Sequence, residues 1–120
     1  MRVARIVFRV AGVYGFLALL PQYFMEQQIG RDYPPPITHP ETFYGFIGIA
    51  LAWQAAFLVI ARDPVRFRPL MIPAVLEKAT FGIAVVVLFL QSRVPGMVLG
   101  FGAVDLLLGG LFFFAWLRLR

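Results

Sequence analysis

Apolar residues fall into four long runs separated by short, proline-bearing polar links. A helix needs about 20 mostly apolar residues to cross the hydrocarbon core of a bilayer. Four segments meet that length: residues 3–25, 43–61, 70–91 and 97–117. Lipid offers no partner for an open sheet edge, so runs of this kind are helices. The short alternating segments of a transmembrane β-barrel do not occur in the sequence. The pattern predicts an all-α integral membrane protein, with residues 1–120 forming a single transmembrane domain folded as a four-helix antiparallel bundle.

The links sharpen this picture. Residues 26–42 form the longest link, and Pro34-Pro35-Pro36 within it enforces an extended path. Thr38-His39-Pro40-Glu41 has the S/T-x-x-E form of a capping box, which predicts that the second helix starts near Thr38 and runs over 38–61. The later links, 62–69 and around Ser92-Arg93-Val94-Pro95, are short, so successive helices are antiparallel neighbours. Pro21 removes a backbone donor and leaves the Leu17 carbonyl short of its usual bond. Either a kink with a polar mouth or an interfacial end anchored by Tyr23 accounts for it.

Arginine distribution orients the bundle. Arg2, Arg5, Arg9, Arg62, Arg66, Arg68, Arg118 and Arg120 cluster at one side, and only Arg31 and Arg93 at the other. The positive-inside rule puts the first set in the cytoplasm, with both termini there. The expected location is the cell inner (plasma) membrane. The apolar stretch after Arg9 resembles a signal peptide, but Pro21-Gln22-Tyr23 follows in place of a small-x-small cleavage pattern, so an uncleaved first helix is expected.

Composition agrees: 61% of residues are hydrophobic and 14% charged, against about 45–50% and about 25% in soluble domains. The net charge of +5 comes from residues flanking apolar runs. It therefore predicts contact with the lipid bilayer and with anionic lipids at the cytoplasmic face, not with nucleic acid. With no cysteine, a single histidine (His39) and a single serine (Ser92), the chain offers no thiolate site, no haem or zinc ligand set and no serine–histidine triad. No cofactor and no metal are expected.

Ionisable groups within spans are costly and each needs an account. Glu77 and Lys78 lie roughly 10–12 Å along the third helix from Leu70. Two central charges cost about 5–7 kcal/mol, while the apolar residues of that helix return about 4–7 kcal/mol, so it needs partners. Arg9 and Gln54 are expected at a similar depth, which predicts a polar layer of Arg9, Gln54, Glu77 and Lys78. In this reading Glu77 faces the interior with Ala74, Thr80, Phe81 and Ala84, and Lys78 snorkels to headgroups. Asp105 is expected apart from them, about 12 Å from the outer end of the fourth helix and without a cation at its depth. Gly102 and Gly109 flank it on one face. With Gly45, Gly48, Gly96 and Gly100 they are expected to allow close helix packing.

Tyr44-Gly45-Phe46-Ile47-Gly48, Ala61-Arg62-Asp63-Pro64 and Gly102-Ala103-Val104-Asp105-Leu106 with Gly109 make the stretch 41–117 resemble the small four-helix bacterial membrane proteins grouped as DoxX-like. The resemblance implies a fold and a membrane and no dependable activity. Small multidrug transporters are of similar length, but they carry their intramembrane glutamate in the first helix, where this chain has none before Glu26. Three functional readings stay open. One is a non-enzymatic accessory or scaffolding component that packs on a protein partner or on further copies of itself. Another is a binder or transformer of a lipophilic small molecule, a lipid or quinone, using Glu77 or Asp105. The third is a small transporter.

Overall fold

Helix α1 (Arg2–Leu19) tightens into a 3-10 turn over Leu20–Phe24, short α2 (Glu26–Asp32) follows, and then come α3 (Pro40–Arg62), α4 (Met71–Leu90) and α5 (Gly96–Arg118). These elements come from a computed structural model that describes residues 1–119. Arg120, counted above with the cytoplasmic arginines, lies outside the described residues. With their 3-10 extensions, the four long helices are each 23 residues, about 35 Å at 1.5 Å per residue. That exceeds the roughly 30 Å of a hydrocarbon core. The chain is an all-α four-helix bundle whose long helices have the length and apolarity to cross a membrane.

The ends of the elements follow from local chemistry. At Pro21 the missing N–H stops the α-helical ladder, and the Gln22 side chain donates to the Ala18 carbonyl at 3.1 Å. The predicted capping box does not form. Helix α3 starts at Pro40, not near Thr38, because proline at the first helical position makes His39 the cap residue. The backbone N–H groups of Thr42 and Phe43 donate to the His39 carbonyl. The first residues of the link over 26–42 coil into α2 ahead of the three prolines, an element not expected from the sequence.

Close contacts fix the register. Gly12 faces Leu58, Gly15 faces Gln54, and Tyr23 reaches Gly48, so residue numbers rise along α1 as they fall along α3. Gly82 faces Leu106, Gly102 faces Val85, and Gly109 faces Lys78, giving the same antiparallel sense for α4 and α5. The two pairs join mainly through α1 and α5, where the Phe8 and Phe112 rings stack at 4.1 Å. Phe57 completes this core, edge-on to Phe112 with ring centroids 4.9 Å apart. Chain neighbours α3 and α4 barely touch. The reason lies in side-chain size. Glycine lets backbones approach on the α1–α3 and α4–α5 seams. On the α3–α4 seam Phe46 and Phe81 stand between the helices with ring centroids 6.3 Å apart.

Candidate functional site

Lysine 78 is the centre of the polar interior. It is 3% exposed, and its Nζ lies 3.5 Å from Asp105 Oδ1 and 3.7 Å from Glu77 Oε2. The ammonium also sits 5.1 Å from the centroid of the Phe57 ring, within cation–π range. Phe57 in turn packs against Phe8 of α1, with ring centroids 6.2 Å apart. Helices α3, α4 and α5 therefore all contribute to the surroundings of one buried ammonium.

This arrangement corrects the expected one in five respects, the last of them the place of Glu77. Lys78 does not snorkel. It lies on the inward stripe of α4 with Met71, Ala74, Gly82 and Val85. Asp105 is not without a cation, because the lysine stem spans the turn between them. The Cβ of Lys78 lies against Gly109, 3.2 Å from where a Cβ would stand there, and the side chain rises one helical turn along α5 to Asp105. Arg9 does not join the layer. Phe8 takes the inward position on α1, and Arg9, rotated about 100° from it, is exposed. Gln54 is buried but does not meet Glu77. Its amide donates to the Ala50 carbonyl at 2.9 Å, while Oε1 packs against Gly15 of α1 without a hydrogen-bond partner.

Glu77 faces neither the core nor open lipid. It lies on the floor of the α3–α4 seam, where the poorly closed helices leave a groove of about 330 Å³. Phe46, Ile49, Ala50 and Trp53 line the α3 wall, and Glu77, Thr80 and Phe81 the α4 wall. The Glu77 side chain is 20% exposed. Its Oε2 is buried and has no hydrogen-bond partner, since the Lys78 contact is too long for one. The Thr80 hydroxyl donates to the Leu76 carbonyl and is not available to the carboxylate as donor. Exposed Ile49 is among the lining residues, and all of them belong to helices long and apolar enough to span a membrane.

The glycines divide into two sets. Gly102 and Gly109 pack closely, and Gly48 meets the Tyr23 hydroxyl, as expected of helix contacts. Gly45, Gly96 and Gly100, expected to pack, have nothing within 4 Å of a would-be Cβ. Gly12, Gly15 and Gly82 were not singled out in the sequence, yet they make the tightest seams. Spacing could have found the first two. Ala4, Phe8, Ala11, Gly12 and Gly15 recur at helical intervals on one face of α1, and all are buried. The groove itself had no sequence signal beyond Phe46 and Trp53, which lie seven residues apart on α3. Among the described residues, no group of three or more histidine, aspartate or glutamate side chains could hold a metal ion. No known protein family, curated protein or solved structure matches the chain.

Proposed function

We propose that this multi-pass protein resides in a cell inner membrane with both termini in the cytoplasm, and that it takes a lipophilic small molecule from the bilayer into the α3–α4 groove. One observation carries the reading. The seam between two chain-adjacent helices stays open, and the partly exposed Glu77 side chain lines it among aromatic and apolar residues. The Glu77 side chain is 20% exposed, so a polar group bound in the groove would have a carboxyl to meet. The volume sits at the lower end of small-molecule sites, about 300–1,000 Å³. It suits a headgroup or ring with part of a chain. Aromatic walls and a single polar contact are the usual composition of such sites.

A direct test is native mass spectrometry from mild detergent. The wild-type protein is expected to carry one lipophilic molecule per chain, and Thr80→Phe, which fills the mouth of the groove, to lose it. A wild-type protein free of any such adduct would count against the reading. An accessory role remains the second reading, favoured by Gly45, Gly96 and Gly100, whose faces meet nothing within the chain. It predicts a protein partner in the same spectrum.

Orientation has its own test. With the cytoplasmic arginine cluster inside, single cysteines at Thr38 and Val94 react with an impermeant reagent outside intact cells and one at Val65 does not. Reversed labelling would invert the proposed topology.

A further inference from the structure

Charge arithmetic at the site narrows the ligand class. Glu77 and Asp105 place two carboxylates around the single ammonium of Lys78, and among the described residues no other cationic side chain pairs with either. Asp105 is 15% exposed at its side chain, and it holds the shorter contact with Lys78. Glu77 is held at the longer distance, and its partly exposed side chain is the one of the two acids that lines the groove. With both acids ionised the site would carry one uncompensated negative charge within the span, a cost that a bound cation removes. Phe46, Trp53 and Phe81 surround the approach to Glu77, and aromatic faces attract cations, tryptophan most strongly.

We propose that the groove's ligand is a lipophilic monocation, an amphiphilic amine or quaternary ammonium. Its charged group meets Glu77 and its apolar part lies among Phe46, Trp53 and Phe81. The inference rests on the groove reading above and deepens it. The occupant is a free amphiphile and not a zwitterionic phospholipid. Glu77 lies about 10 Å along α4 from its cytoplasmic end, below the headgroup layer, and a phospholipid's phosphate would follow its amine toward two carboxylates.

Trp53 serves as a built-in reporter. The Trp116→Phe protein, with Trp53 as its only tryptophan, is reconstituted in phosphatidylcholine vesicles. It is titrated with 11-bromoundecyl-trimethylammonium and with neutral 11-bromoundecanol, whose bromine quenches indole fluorescence. Trp53→Phe, which keeps only Trp116, measures non-specific partition. Saturable quenching of Trp53 by the cation is expected at about one-tenth of the alcohol concentration or less, with Glu77→Gln raising the cation's midpoint to that of the alcohol. If Glu77→Gln does not fold, Thr80→Lys carries the same test, since an ammonium three residues on reaches Glu77 and displaces the probe. Equal midpoints for the two probes, or a cation preference that survives both variants, overturn the cationic class and leave a groove for neutral lipophiles. Quenching of Trp53 no greater than that of Trp116 removes the groove reading itself. Loss of cation binding when phosphatidylethanolamine replaces phosphatidylcholine makes the lipid amine the occupant and overturns the proposal of a free amphiphile.

Discussion

Replacing Lys78 with methionine is expected to destabilise the bundle by about 3–5 kcal/mol, the typical cost of stranding one member of a buried ion pair. Methionine matches the length of the lysine stem and packs beside Gly109, so little of the effect comes from lost volume. What remains is Asp105, mostly buried and deprived of its cation, with Glu77 beside it. Removing the aspartate as well should return most of the loss. A buried pair replaced by apolar residues of similar size is often neutral or stabilising, so Lys78→Met with Asp105→Leu should be closer to wild type than Lys78→Met alone. Reversible unfolding in mixed detergent micelles measures both. A double variant as unstable as the single one would show that the pair is not what Lys78 contributes.

The second large effect is steric. Gly12→Ala and Gly102→Ala should each cost about 1–3 kcal/mol, the usual range for overpacking a tight contact. A methyl at Gly12 would stand 2.7 Å from Leu58 and 3.0 Å from the Gln54 carbonyl, and one at Gly102 would stand 2.8 Å from Val85 Cβ. Backbone and Cβ atoms cannot move aside as a side-chain tip can. Gly96→Ala and Gly100→Ala meet empty space and should change stability by no more than about 0.5 kcal/mol. The same unfolding measurement compares all four. Equal effects at Gly100 and Gly102 would contradict the register of α4 on α5.

These residues also mark where reading the chain succeeds and where it stops. Spans are legible because hydropathy is summed over some 20 positions, and one proline or one charge does not cancel the sum. Helix starts depend on single residues, and Pro40 moved one of them by overriding the signal from Thr38. Rotation is harder still. Glu77 and Lys78 are adjacent, so only one can lie on the inward stripe, and small residues occur on both of their faces. Depth counted from backbone positions separated Lys78 from Asp105 by about a turn. A lysine stem is long enough to close that gap. Equal steps from the turn at 91–95 place Lys78 level with Gly109, which has no side chain to block the stem. The pairing was therefore within reach of hairpin geometry together with side-chain length. The open seam was not, because it depends on how closely two other seams shut, and that follows from glycines on α1 and α4 whose partners lie on different helices.

The central claim is that the groove beside Glu77 opens to the interior of the bilayer, and Trp53 on its α3 wall can report this directly. The Trp116→Phe protein is reconstituted with phospholipids brominated either near the headgroup or near the middle of the acyl chains. The account predicts that mid-chain bromine quenches Trp53 more strongly than shallow bromine, and that Thr80→Phe reduces the mid-chain effect by covering the mouth. Quenching that is absent at both depths, or stronger from shallow bromine or from a water-borne quencher, would contradict a lateral opening at mid-span.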